Sequence, residues 1–224
     1  LLYFDCFVCV KFYYTGLFDI FAGIGGFRSG LEKAGGFECV GYCEIDRYAK
    51  KAYETMYDTE GEVYYDDARK INPNELPDFD LICGGFPCQS FSIAGKRGGF
   101  DDARGTLFFE IARIAAVKKP KYLLLENVPG LLSHDSGRTF ATILGSLDEL
   151  GYDVAWQVLN SANFRVAQSR KRVFIIGFLR EKCAGKVLSF TEENPIKVHP
   201  NIIYSTFCGS RMFLFSVSPL SRNL

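Results

Sequence analysis

The order of apolar and polar positions divides most of the chain into short apolar runs and amphipathic stretches in alternation. Leu17 to Phe21 reads as a strand, and Gly25 to Ala34 as a helix with Phe27 and Leu31 on one face. Phe37 to Cys43 is a second strand and Arg47 to Tyr57 a second helix. Asp80 to Cys83 is another strand. Thr106 to Val117 is a helix, with Leu107, Ile111 and Ile114 at helical spacing. Tyr122 to Leu125 is a strand and Thr139 to Leu150 a helix. Val154 to Leu159 and Val173 to Phe178 are strands with no helix between them, which predicts an antiparallel pair. Alternation of this kind predicts an α/β fold: a mostly parallel sheet covered on both faces, ending in an antiparallel strand. Beyond Ser189 the pattern fades. Glu192 to Pro195 reads as a loop, and Ile202 to Leu224 predicts neither helix nor strand.

Composition narrows the class. With 224 residues, 48% of them hydrophobic, the chain can bury the core of one sizeable domain. The formal net charge is zero, so any surface for nucleic acid must be a local basic patch. No apolar run reaches the roughly 18 residues needed to cross a bilayer. Leu1 to Val10 is apolar but has neither a basic leading segment nor a small-residue cleavage site. It reads as the edge of a longer chain. The eight cysteines are scattered, as expected in a reducing compartment such as the cytoplasm. Neither the Cys6/Cys9 pair nor the Cys39/Cys43 pair has a partner pair at zinc-site spacing, so packed free thiols are expected.

Candidate chemistry gathers at strand ends, where α/β folds display reactive groups. The first strand runs into Asp19-Ile20-Phe21-Ala22-Gly23-Ile24-Gly25-Gly26. Glycines between strand and helix allow close backbone approach to a ligand. Arg28 stands where a dinucleotide fingerprint would have its third glycine, so no pyrophosphate grip is predicted. Glu44 ends the second strand, about 20 residues beyond Gly25, where a carboxylate can hold ribose hydroxyls. S-adenosylmethionine fits such a site. The alternative is a tight turn with a solvated strand-end carboxylate.

The second cluster begins at Gly84-Gly85-Phe86-Pro87-Cys88-Gln89-Ser90-Phe91-Ser92. Cys88 follows a strand end and a rigid proline, which makes it a candidate nucleophile, with a buried structural thiol as the alternative. Glu126 ends a nearly all-apolar run. Partial burial there would raise its pKa and suit it to donate a proton; capping a helix is the alternative. Gln168-Ser169-Arg170-Lys171-Arg172 places cations two residues apart on one strand face, a cluster that is usually just solvated.

With these segments in order, the stretch from about Leu17 to Phe178 resembles the DNA (cytosine-5) methyltransferases of bacterial restriction–modification systems. Asp19 to Gly26 resembles the cofactor motif and Pro87-Cys88-Gln89 the nucleophile motif. Glu126-Asn127-Val128 resembles the base-contacting motif, and Gln168-x-Arg170-x-Arg172 the basic motif that follows. The resemblance implies a Rossmann-like S-adenosylmethionine-dependent methyltransferase fold over residues 17–185, double-stranded DNA as substrate, and a flipped-out cytosine. It implies Cys88, Glu126, Arg170 and Arg172 as catalytic residues. It implies Asp19, Phe21, Ala22, Gly23, Ile24, Gly25, Gly26, Glu44, Ile45, Asp67, Ala68, Phe86 and Pro87 around the cofactor. Glu44 would take the ribose, Ile45 would pack on the adenine, and Asp67, after the third strand, would read the adenine amino group. Gln89, Ser90, Ser92, Lys96, Arg97 and Asn127 would contact substrate.

Residues 1–16 and 186–224 do not match this pattern. No target-recognition domain is visible in the tail, so the expectation is a C-terminally incomplete catalytic part: a fragment, or half of a split enzyme completed by a second polypeptide. An inactive remnant and a tRNA methyltransferase are the competing readings.

Overall fold

The computed structural model describes residues 15–87, 107–164 and 166–183, together with the backbone of 204–208 and 211–215. The strands are β1 (Thr15–Ile20), β2 (Phe37–Cys43), β3 (Val63–Tyr65), β4 (Leu81–Gly85), β5 (Tyr122–Asn127), β6 (Tyr152–Asn160), β7 (Lys171–Leu179), β8 (Tyr204–Cys208) and β9 (Arg211–Phe215). The helices are α1 (Gly26–Ala34), α2 (Arg47–Met56), α3 (Leu107–Lys118), α4 (Arg138–Glu149) and a single turn, α5 (Arg180–Cys183). They build a sheet in the order β3-β2-β1-β4-β5-β7-β6-β8-β9.

Strand alternation sorts the side chains into two cores. Phe18, Ile20, Ile82, Leu123, Leu125, Val173 and Ile175 share one core with Phe108, Ile111 and Ile114 of α3 and with Ile143, Leu144 and Leu147 of α4. Leu17, Leu81, Cys83, Leu124, Phe174, Ile176 and Phe178 share the other with Leu31 of α1. The period of two along each strand makes this division, so both sheet faces are apolar and both need cover. α2 starts where the Asp46 carboxylate accepts the backbone N–H groups of Tyr48 and Ala49, both at 2.8 Å. Cys39, Cys43, Cys83 and Cys183 are free thiols.

Strands β1 to β5 are mutually parallel. The anticipated antiparallel strand is β7, paired over its length with β6. It is not at the sheet edge but is inserted between β5 and β6, with Glu126 opposite Phe174 and Asn127 opposite Val173. This insertion brings the N-terminal end of β7 to the same sheet edge as the C-terminal ends of β1, β2, β4 and β5. The expectation of no strand after Ile202 is corrected: β8 pairs antiparallel with β6 and β9 with β8. The sequence there is rich in apolar residues, and antiparallel pairing of β8 to β6 and of β9 to β8 gives these segments their strand conformation. Among the described residues no helix is long and apolar enough to cross a membrane.

Candidate active site

The chain crosses from one side of β1 to the other, with β2 and β3 to one side and β4 and β5 to the other. In open α/β sheets such a reversal leaves a crevice at the carboxyl ends of the strands. The predicted site residues that the structure describes lie at that edge, with Asp19 and Asn127 set deeper in the fold.

On the β1 side the turn Phe21–Gly26 is held in an unusual backbone path. Phe21 has φ 56, Gly23 φ 57 and Gly25 φ 82. Positive φ is costly for a bulky residue such as Phe21 and cheap for glycine. At Gly23 and Gly26 an added Cβ would meet nothing within 4 Å, so the outer face of the turn is open. No side chain caps the start of α1. Its first N–H groups are left for water or a ligand. Glu44 binds this turn directly: one carboxylate oxygen accepts the Gly23 N–H at 2.7 Å and the other the Asp46 N–H at 2.7 Å. Ile24, Ile45 and Tyr48 beside it are exposed apolar side chains. An open glycine turn, a carboxylate at its flank and uncovered apolar groups fit an adenosine-bearing ligand better than a pyrophosphate.

Other predicted cofactor residues sit differently. Asp19 is fully buried, accepting the Tyr53 hydroxyl at 3.4 Å and facing the Cys83 thiol at 3.7 Å. Its burial pushes the carboxyl pKa up to about 8. Asp19 is therefore part of the support beneath the turn. Asp67 accepts the Arg69 guanidinium Nε at 2.9 Å and the Arg69 backbone N–H at 3.0 Å. That guanidinium holds the Asp67 carboxyl down at about 2. Ala68 and Phe86 are buried and Pro87 is exposed. Phe86 packs on Phe108, ring centroids 5.6 Å apart.

On the β5 side, Glu126 and Arg172 meet. Register places Glu126 opposite Phe174, so Arg172 is its diagonal neighbour on the same face. Arg172 Nε donates to Glu126 Oε1 at 2.6 Å, the two side chains being 19% and 25% exposed. Partial burial raises the Glu126 pKa, and the Arg172 and Arg170 guanidinium groups pull the other way. Gly85 lies opposite Glu126 in the β4–β5 ladder, and a Cβ there would stand 2.8 Å from Glu126 Oε2. The absence of a side chain at Gly85 makes room for the carboxylate. At Gly84 a Cβ would come within 1.9 Å of the Ile20 carbonyl oxygen, so glycine is required for β4 to pack on β1.

Asn127, expected to contact substrate, is instead turned into the fold and 2% exposed. Its Nδ2 donates to the Phe86 carbonyl at 2.8 Å and its Oδ1 accepts the Val128 N–H at 2.8 Å. It ties the end of β5 to the segment that leads into Pro87. Arg170 and Gln168 are exposed at the same edge. Cys88, Gln89, Ser90, Ser92, Lys96 and Arg97 lie outside the described residues.

Sequence reasoning missed the groups behind the glycine turn. Arg28, read only as a break in a fingerprint, is 5% exposed and bound to Glu32 and Glu62. Tyr53 and Tyr57 pack against Ala22 and Tyr42 in the same place. The available signal was an arginine on the α1 face that the apolar pattern reserves for the core.

A doubly wound sheet with an open glycine turn, an acidic second strand and a Glu–Arg pair at one edge defines an α/β domain with a crevice suited to a nucleoside-bearing ligand. In fold it is similar to Spodoptera frugiperda DNMT2: TM-score 0.63 at 19% identity, covering 80% of this chain and 54% of that one. The family follows from the sequence match. Residues 16–205 match the model of the C-5 cytosine-specific DNA methylases, and the chain belongs to that family. It is 51% identical over 162 residues to the Type II methyltransferase M.NgoBI of Neisseria gonorrhoeae, covering 71% of this chain and 49% of that protein. It is 46% identical over 166 residues to M.HhaI of Haemophilus parahaemolyticus, covering 73% of this chain and 50% of that protein. The chain thus spans about half the length of these curated relatives.

Proposed function

We propose that this chain carries the catalytic part of an enzyme that methylates C5 of cytosine in double-stranded DNA, in the manner of Type II restriction–modification methyltransferases. The observation that supports this reading most is the Glu126–Arg172 pair, set beside the strand that leads to Pro87 and Cys88. S-adenosylmethionine, when bound, supplies an electrophilic methyl group. Glu44 and the Gly23–Gly26 turn would hold its adenosine part, with Ile45 against the base.

Cytosine C5 is a poor nucleophile. The Cys88 thiolate adds to C6, breaking the C5–C6 double bond and pushing its electrons toward C5. Glu126 donates a proton to N3 and accepts the exocyclic amino group. Its pKa, raised by partial burial, suits that step, because the carboxyl keeps its proton to higher pH than an ordinary glutamate. Arg172 steadies Glu126 before the base arrives and then faces O2, with Arg170 beside it. C5 would take the methyl group as the bond from that methyl to the donor's sulfur breaks and the thioether departs. A base then removes the C5 proton, the C5–C6 double bond re-forms as the thiolate leaves, and N3 returns its proton to Glu126. The reacting atoms are shielded within a duplex, so the target nucleotide is extruded from the stack. In this reading the segment from Ser90 through Lys96 and Arg97 contacts the DNA. Selection of a DNA site falls to further polypeptide, in the same chain or in a second one, and the enzyme acts in the cytoplasm.

Trapping with a duplex containing 5-fluorocytosine tests the proposal, because the C5 fluorine prevents the final elimination. A denaturation-resistant complex that requires the methyl donor and is lost in Cys88→Ala is the expected result. Rescue by an added recognition polypeptide would assign site selection to a second chain. A complex that survives Cys88→Ala, or none under any of these conditions, refutes the chemistry.

A further inference from the structure

The glycine turn has two unlike faces. Its outer face at Gly23 and Gly26 is bare. Its inner face rests on a polar lock that the proposed chemistry does not use. The Tyr57 hydroxyl donates to the Gly25 carbonyl at 2.8 Å. The same oxygen accepts the Ser29 N–H at 2.9 Å, at the start of α1. A Cβ on Gly25 would stand 2.4 Å from the Tyr57 ring, so the contact is close and specific to glycine. The Arg28 guanidinium lies 4.5 Å over the Tyr57 ring. It donates to Glu62 at 2.9 Å, to the Asp58 carbonyl at 3.0 Å and to Glu32 at 2.7 Å. Arg28 and Tyr57 therefore join the turn and the first residues of α1 to the residues that follow α2.

We propose that Tyr57 and Arg28 are positioning residues that hold the Phe21–Gly26 turn ready for its adenosine-bearing ligand. This rests on the cofactor reading above. A turn with three positive φ values in six residues is an improbable path for a free chain, and a ligand that had to create it would bind more weakly. The lock fixes the path before the ligand arrives. The role is to position the turn, and it requires no contact between the ligand and either side chain.

Tyr57→Phe removes only the hydroxyl. Tyr42→Phe is the matched control: its hydroxyl donates to Glu54 at 2.9 Å, in the same aromatic cluster but away from the turn. Two readouts are needed on the full chain. One is amide hydrogen exchange at Gly25 and Ser29 without ligand; the other is the dissociation constant for S-adenosylhomocysteine by calorimetry. Tyr57→Phe is expected to speed exchange at both amides and weaken binding about 3- to 10-fold, the worth of one hydrogen bond. Tyr42→Phe is expected to do neither. Unchanged exchange and affinity in Tyr57→Phe, or equal changes in both variants, overturns the positioning role while leaving the cofactor reading intact. Failure of the unmodified chain to bind overturns the cofactor reading and this inference with it.

Discussion

Replacing Arg172 by methionine isolates the electrostatics of the Glu126 site without needing DNA. The variant keeps most of the side-chain stem and loses the guanidinium that donates to Glu126 at 2.6 Å. A hydrogen bond between charged groups contributes about 1.5–3 kcal/mol when sheltered, and an exposed pair about 0–1 kcal/mol. With side chains 19% and 25% exposed, this pair falls between, at about 1–2 kcal/mol when Glu126 is ionised. Burial alone raises the Glu126 pKa, favouring the protonated form, and so erodes stability as pH rises above the ordinary 4.5. Arg172 acts in the opposite sense, stabilising the carboxylate. Its contribution is therefore full at high pH and fades as Glu126 takes up a proton. Arg172→Met should be less stable than the parent by about 1–2 kcal/mol at pH 8, read from denaturant unfolding. The deficit should shrink toward pH 4.5. Carbon-13 titration should show Glu126 holding its proton to higher pH in the variant. In a Glu126→Gln background the pH dependence of the deficit should vanish. A deficit equal at pH 4.5 and pH 8, or a Glu126 titration displaced downward, would refute the reasoning.

Further outcomes follow from the same geometry. Gly85→Ala should keep the fold, because the flexible Glu126 side chain can yield, but should abolish 5-fluorocytosine trapping by displacing that carboxylate. Gly84→Ala, whose methyl would meet the Ile20 carbonyl, should cost several kcal/mol and leave little folded protein by circular dichroism. Asn127→Ala leaves the buried Phe86 carbonyl without its Asn127 partner, and should lower the unfolding free energy by about 1–3 kcal/mol, measured in urea. Asp19, with its pKa raised to about 8, contributes stability that is complete below the ordinary 3.8 and is lost as pH rises through about 8. Asp19→Asn should therefore flatten the dependence of thermal midpoint on pH across that window.

The sequence alone determined the elements from β1 to β7 with the exception of the short β3, and it placed the candidate residues at their ends. Both readings rest on local physics. Apolar period and glycine position report which face a residue takes and where a strand stops. The motifs around Cys88 and Glu126 could be read as a family resemblance because each is contiguous in the chain; Cys88 itself lies outside the described residues. Strand order was not legible, because periodicity carries no record of which strand a segment will pair with. Only tertiary structure inserted β7 between β5 and β6, and that register is what sets Arg172 against Glu126. Only packing turned Asn127 inward to hold Phe86 and buried Asp19 beneath the glycine turn. It also gave Arg28 its place, where a charge inside the fold is tolerated because Glu32, Glu62 and the Asp58 carbonyl surround it. A polar side chain's role depends on partners distant in sequence. It therefore emerges from the fold and not from the pattern of the residue's own segment.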